Sequence, residues 1–475
     1  MLKDALDNFL QSEPVQIVKT AAHNLAIPSY VVGGSVRDLI LNRHSKDIDF
    51  VTLGSGINLA KEVAKVVGDD CSLAVYKNFG TAAIKFKDYE LEFVGARKES
   101  YRQDSRNPIV ENGTLEEDQN RRDFTINALA LSLNEHDFGQ LVDPFGGVDH
   151  IEQKTIVTPL DPNVTFSDDP LRIMRAIRFA SQLNFDIEAN TFEAIMAQKE
   201  RLSIISQERI TDELNKIILS PVPSYGFKLL YSSGILALIF PEMNDLQGVK
   251  TIDGKTHKDN FYHTLQVLDN ISKDTNDLWL RWSAILHDIA KPATQRFSKK
   301  VGWTFHGHED LGARWTPKIF KRLKLPLNEH MKYVQKLVRL HLRPIALVNE
   351  KVTDSAIRRL LYEAGDDVED LMTLCKADVT SKNPDRVRKY LSNFIKVEKK
   401  IIEVEGRDHL RDFQPPISGE LIIETFGIRP SKIVGEIKNS IKEAILEGEI
   451  KNDYSEAHKL MLALGTKNGL TIKSN

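Results

Sequence analysis

The chain has 475 residues, 41% hydrophobic and 28% charged, with a formal net charge of −3. That length is too great for one hydrophobic core and the apolar content too high for general disorder, so we expect a catalytic module of about 150 residues followed by further modules. A chain this near neutrality is not a strongly basic non-specific nucleic-acid binder, so any surface for a polyanion must be local. The opening stretch MLKDALDNFLQSEPVQ carries acids and no continuous apolar run, and no later run reaches the roughly 20 residues of a membrane span. We therefore expect a cytoplasmic location and no membrane partner.

Strand-like runs follow at Tyr30 to Val32, Ile48 to Thr52, Ala82 to Phe86 and Leu91 to Val94, mixed with helical segments up to about residue 150. Between the first two stands YVVGGSVRDLILNRHSKDIDFVT: a strand, a Gly-Gly-Ser turn, a short helix and a second strand. Gly33 and Gly34 would bring backbone N–H groups close to a phosphate at a helix N-terminus, and Arg37 would reach the same phosphates. Strand side chains alternate, so Asp47 and Asp49 project from one face while Ile48 and Phe50 turn to the core. Two convergent carboxylates suit Mg²⁺, two ions of which can activate an attacking hydroxyl and stabilise a leaving pyrophosphate. Glu92, in LEFV, is a candidate third oxygen ligand. The only cysteines, Cys71 and Cys375, exclude a disulfide framework or a cysteine-rich zinc site and read as buried apolar fillers.

Hydrophobic-Gly-Gly-Ser, a spacer and Asp-Ile-Asp-Phe together resemble the polymerase-β-like nucleotidyltransferase signature. RRDFTINALA at 121 to 130, DPFGGVDHI at 143 to 151, DDPLRIMRAIRF at 168 to 179 and SQERITDELNKIIL at 206 to 219 continue the likeness, and in this order they resemble the bacterial-type CCA-adding tRNA nucleotidyltransferase and poly(A) polymerase family. The resemblance implies an α+β fold: a nucleotidyltransferase head with a small mixed sheet at 1–150, then an all-α neck at 151–250, an HD domain at 251–385 and a helical tail at 386–475. It also implies that Arg122 contacts the triphosphate, that Asp123 and Asn127 sit by the ribose, and that Asp169 and Arg172 read the Watson-Crick edge of incoming C or A. For Arg121 we expect a surface ion pair, and for Gly146-Gly147 a hinge or an inert turn. Pro170 suits a first helical turn, with Asp168 or Asp169 as its cap. Arg172, Arg175 and Arg178 recur at spacing three with no interleaved acid, which points to phosphate binding from one helix face. Glu208, Arg209, Glu213 and Lys216 resemble the family's neck helix, with ion pairs holding the template helix.

Beyond Ile151 apolar residues recur at three and four, as in a helical chain. Pro221, Pro223, Pro241 and the stretch 253–258 mark a module boundary, while Asn383-Pro384-Asp385 and Gln414-Pro415-Pro416 interrupt the later helices. His263, then His287-Asp288 in AILHDIAKP, His306, His308, His341 and Asp378 resemble the HD phosphohydrolase domain. We take His263, His287, Asp288 and Asp378 as ligands of one or two divalent ions, transition metal or Mg²⁺, that activate water against a phosphate ester. The expected activity is addition of C, C and A to the 3′ end of tRNA from CTP and ATP, with basic clusters such as 386–390 and 397–400 gripping RNA and no DNA partner. Poly(A) addition, or a phosphohydrolase with a nucleotide-binding module, are the alternatives. The segment from Glu99 to Asp118 is expected to bear on C versus A selection.

Overall fold

Alternating side chains organise the first of two units into which the chain divides, Met1–Pro241 and Glu242–Asn475. The structure, a computed structural model, describes residues 2–43, 45–102, 105–349, 353–381, 383–408 and 416–473. Among the described residues of the head are nine strands: β1 (Ser29–Val32), β2 (Asp47–Thr52), β3 (Cys71–Tyr76), β4 (Thr81–Phe86), β5 (Tyr89–Gly95), β6 (Arg97–Arg102), β7 (Ser105–Asn112), β8 (Ala130–Ser132) and β9 (Leu141–Val142). Seven form one sheet in the order β3-β4-β5-β2-β1-β8-β9, and β6 pairs with β7 as a separate ribbon. The sheet is mixed, because β2 and β5 run parallel while its other pairs are antiparallel.

Parallel neighbours need a crossover, and the helix Gly56–Val67 lies between β2 and β5 in the chain and packs on β2, β3, β4 and β5. Its apolar face of Leu59, Ala60 and Val63 is buried, as are Ile48, Phe50, Ile84, Leu91 and Phe93 of the sheet. Phe50 stacks on Phe93 with centroids 5.2 Å apart. Ser55 caps the helix by accepting from the Asn58 N–H at 3.3 Å.

Helices complete this unit, among them Pro162–Asp168, Leu171–Leu183 and Gln207–Ile218. Leu171–Leu183 is its most buried helix: Ile173, Met174, Ala176, Ile177 and Ala180 are wholly inaccessible. A two-residue parallel pair, Thr155–Ile156 with Asp186–Ile187, departs from the all-helical expectation for this stretch.

The second unit is helical around Phe261, Trp282 and Phe320. Arg281, 1% exposed, is satisfied by carbonyl oxygens of Ser272 at 3.1 Å and Thr275 at 2.9 Å. Two short ribbons interrupt the helices, Thr251–Ile252 with Lys255–Thr256 and Arg296–Ser298 with Gly302–Thr304. The first is a hairpin turned by Asp253 and Gly254, both at positive φ, where the sequence showed only a break. Asn383 opens the helix Pro384–Asp408 by accepting from the Asp385 and Arg386 N–H groups. Of Gln414-Pro415-Pro416, residues 414 and 415 lie outside the described residues, as do residues 103 and 104 and the side chains of 99–110 within the Glu99–Asp118 segment. Cys375 is buried as expected, but Cys71, on the edge strand β3, is only half-buried.

Candidate active site

Strand register places the carboxylates. Asp49 lies opposite Glu92, and Asp47 opposite Glu90, on the sheet face opposite the one that carries Ile48 and Phe50. Burial and Asp47 push the Asp49 carboxyl up from its ordinary value, against the opposing pull of Arg122 and Arg37. Glu92 is raised by burial, then by Asp49, Glu90 and Asp47. Crowded acids of this kind fit a divalent cation, whose charge would relieve both.

Ser35, which the sequence reading used only as part of the turn, ties it to the acids. Its hydroxyl donates to the Asp47 carbonyl at 3.1 Å and accepts from the Asp49 N–H at 3.2 Å. Gly33 sits at φ +74°, and a Cβ there would lie 2.9 Å from Arg122 Nη1 and 3.6 Å from Asp49 Oδ2. Glycine is required on both counts.

Arg122 is held by Asp118, with Nη2 to Oδ2 at 3.0 Å, and Arg121 by the same carboxylate at 2.6 Å. Arg121 is thus not the surface pair expected of it, because the Asp118 side chain is fully buried. Asp118 escaped the sequence reading, although its place three and four residues before two arginines on a helix end is the signal that finds it. A cavity of about 320 Å³ opens over these groups, lined by Asp49, Glu92, Arg97, Arg121, Arg122 and Tyr76 among others.

Other predicted residues are brought nearby but are engaged within the protein. Arg37 bonds Asp38 through Nε at 2.9 Å and Asn127 Oδ1 through Nη1 at 2.7 Å. Its guanidinium still lies against the glycine turn, Nη2 standing 3.5 Å from where a Gly34 Cβ would be. Asp123 and Asn127, expected at the ribose, are buried instead: Asn127 donates to Asp123 at 3.0 Å, and Arg175 pairs with Asp123 at 2.6 Å. Burial alone would raise the Asp123 carboxyl, but Arg175 and Asn127 outweigh it and hold it down at about 2.

The three arginines at spacing three do not form one phosphate-facing row, because each is drawn to a different partner. Arg172 donates to the carbonyls of Thr165 at 3.3 Å and Arg121 at 2.5 Å, while Arg178 stands 3.1 Å from the buried carboxylate of Glu213. Burial and Arg175 pull Arg178 down to about 10. Glu213, also bonded to Lys216, ties the helix Gln207–Ile218 to Leu171–Leu183, as the ion pairs of the neck were expected to do. Asp169, half-buried, accepts from the Leu171 N–H at 3.1 Å and so caps the helix that follows Pro170. Gly146-Gly147 is a packed turn: Asp143 accepts from Gly147 N–H at 2.7 Å, and a Gly147 Cβ would lie 2.4 Å from Thr125 O.

In the second unit two groups of potential ligands adjoin. His263, His287 and Asp378 form one, and Asp288, His308 and His341 the other. Asp288 joins them, with Oδ2 3.3 Å from His263 Nε2 and 3.2 Å from His287 Nε2, and Oδ1 3.2 Å from His308 Nε2. His308 and His341 thus join the four ligands selected first, whereas His306 is exposed and lies in neither group.

His287, His308 and His341 share one device. Each donates Nδ1–H at 2.7 Å to the carbonyl three residues earlier, of Ala284, Phe305 and Val338. With Nδ1–H committed to a carbonyl, Nε2 is the nitrogen each ring turns inward, the one a metal would take on release of any proton it carries. The His287 Nε2 is buried without a well-aligned hydrogen-bond partner, so the donor set fits a divalent cation. Burial would lower His287, but Asp288 and Asp378 push it up to about 10, while burial and the His287 charge hold His341 at about 3. Lys291 contacts Asp288, and Lys258 contacts His263 Nδ1 at 2.9 Å.

A sheet-borne carboxylate pair beside a glycine turn, followed in the chain by a buried histidine and aspartate centre, defines a nucleotidyltransferase head joined to an HD domain. Residues 29–157 match the poly A polymerase head domain, 184–246 the probable RNA and SrmB-binding site of polymerase A, and 260–382 the HD domain. The chain is 30% identical to the A-adding tRNA nucleotidyltransferase of Deinococcus radiodurans over 88% of its own length and 92% of that protein. It is 29% identical to a CCA-adding enzyme of Streptococcus pyogenes over 90% of each chain. The Bacillus stearothermophilus CCA-adding enzyme, solved in complex with CTP, shares the fold at TM-score 0.67 and 22% identity, covering 97% of this chain and all of that one. The chain belongs to the tRNA nucleotidyltransferase family.

Proposed function

We propose that this enzyme extends the 3′ end of tRNA without a nucleic-acid template, adding C, C and A from CTP and ATP and releasing pyrophosphate. The observation that carries the reading is the register that sets Asp49 beside Glu92, with the Gly33 turn and Arg122 against them. Asp47 and Asp49, with Glu92, would hold Mg²⁺, which supplies positive charge to the reacting phosphate and eases ionisation of the attacking hydroxyl. Gly33, Gly34, Arg37 and Arg122 receive the triphosphate. Asp123 and Asn127 act one step back, fixing Arg175 and Arg37. Asp169 and Arg172 read the base, a carboxylate accepting from an exocyclic amine and a guanidinium donating to ring acceptors. Arg178 supports them from its pair with Glu213.

The HD centre is proposed to bind divalent metal, a transition ion or Mg²⁺, through His263, His287, Asp288, His308, His341 and Asp378, and to hydrolyse phosphate esters. We assign these roles to a head at 1–150, a neck at 151–250, an HD domain at 251–385 and a tail at 386–475. Among the basic clusters assigned to RNA, Lys400 is paired with Asp354 at 2.9 Å and Arg388 with Asp385 at 2.6 Å, so their other cations carry that contact. No described helix is long and apolar enough to cross a membrane, and we place the enzyme in the cytoplasm.

Addition of A alone is the second reading, favoured by the A-adding relative from Deinococcus radiodurans. Labelled CTP or ATP, Mg²⁺ and tRNA transcripts ending before CCA, after C and after CC decide between them. Stepwise extension of all three that stops at CCA is the expected result. Extension of the CC transcript alone would establish A addition, long ATP-only tails a poly(A) polymerase, and no incorporation would overturn the transferase reading.

A further inference from the structure

The sheet register continues past the carboxylates. Asp49 faces Glu92, Glu92 faces Ala83, and Ala83 faces Ala74 at the edge strand. The neighbouring row on the same face runs Val51, Val94, Thr81 and Tyr76. Small side chains at Ala83, Ala74 and Thr81 leave a trough, and Tyr76 stands at its far side, three strand spacings and one row along from Asp49, roughly 15 Å between backbones.

Tyr76 lines the same 320 Å³ cavity as Asp49, Glu92 and Arg122, yet the residue is 51% exposed. Phe79, on the turn that joins β3 to β4, is 74% exposed. Neither ring gives the fold much burial. Two accessible aromatic rings beside a phosphate-handling centre are the usual platform on which single-stranded bases stack.

Position along the sheet decides which base. The Gly33 turn follows β1, on one side of β2 and its aspartates, while Tyr76 lies on β3, on the other side. In-line displacement at phosphorus sets the leaving pyrophosphate and the attacking oxygen on opposite sides. If the glycine turn holds the pyrophosphate end, the attacking nucleoside lies towards β3.

We propose that Tyr76 stacks on the 3′-terminal base of the acceptor RNA, with Phe79 extending the platform at the hairpin tip. This rests on the transferase reading above. It assigns a substrate contact to residues outside the metal, triphosphate and base-reading sets, and such a site would accept any terminal base, since every base offers a π-face.

The test uses the full-length protein with RNA carrying 2-aminopurine as its last nucleotide, together with steady-state kinetics. Wild-type protein and Tyr76→Phe should quench the fluorescence, and Tyr76→Ala should not. Tyr76→Ala should also raise the KM for RNA about tenfold, leaving the KM for nucleotide and the melting temperature unchanged. No quenching by active wild-type protein, an unchanged RNA KM in Tyr76→Ala, or a rise confined to the nucleotide KM would overturn the proposal alone. Wild-type protein that incorporates no nucleotide would overturn the transferase reading beneath it.

Discussion

Asp49 is a carboxylate that the folded chain holds at a cost. Burial and Asp47 raise it in spite of two arginines. A raised acid contributes stability that is fully present below its unfolded value near 3.8 and is lost as pH rises through the folded value, so at neutral pH the ionised group weakens the metal-free protein. Asp49→Asn should therefore lower nucleotide incorporation on the order of a thousandfold or more while moving the melting temperature up by about 2 °C in chelator. A lower melting temperature would show that the charge is structural. Asp123 has the opposite sign. Held at about 2 by Arg175 and Asn127 against burial, it contributes stability present above pH 3.8 and lost as pH falls through about 2. That difference corresponds to about 2 kcal/mol, so urea titrations of wild type and Asp123→Asn should differ by at least that much at pH 6 and converge towards pH 2. Arg175, left without its partner, would add to the difference at pH 6.

At the scale of elements, the helix Leu171–Leu183 is positioned by charges sunk into its packing. Arg178 and Glu213 are both nearly inaccessible. Glu213→Gln leaves a buried guanidinium without a counter-charge, and we expect a loss of about 3 kcal/mol in urea unfolding, with incorporation retained at low temperature. A loss under about 1 kcal/mol would mean that Arg178 finds water, and the pair would not be what holds the helix. The sequence made β1, β2, β4 and β5 legible because their apolar runs are strong, and with them the Asp47, Asp49 and Glu92 face. It hid β3, whose residues are mostly exposed at the sheet edge, and β8, whose three residues are all buried and so show no alternation. The arginine row misled for a different reason. Spacing fixes which face of a helix a side chain leaves from, but not the partner it meets, and Asp123, Glu213 and the Arg121 carbonyl come from distant parts of the chain. His308 and His341 required tertiary packing to separate them from His306, which looks equivalent in sequence.

For the whole molecule, the two proposed chemistries are assigned to two separate units. Asp47→Ala should abolish incorporation and leave both bound-metal content of the HD centre and release of phosphate from 2′,3′-cyclic substrates as in wild type. His287→Ala with Asp288→Ala should do the reverse. Metal analysis of each variant, run beside both assays, decides the matter: retained metal and hydrolysis in the second variant would remove the HD assignment, and lost incorporation there would show that the centres are coupled.

One alternation in β2 serves two purposes. The register that stacks Phe50 on Phe93 is the register that sets Asp49 beside Glu92. A slip by a single residue would turn Asp47 and Asp49 towards the face that now buries Ile48 and Phe50 and bring those two side chains out, so the misaligned sheet is strongly disfavoured. The strand thereby proofreads its own chemistry. A chain that folds with this register carries Asp47 and Asp49 on one face, and a one-residue deletion between Ile48 and Val51 should be seen first as a loss of folded protein.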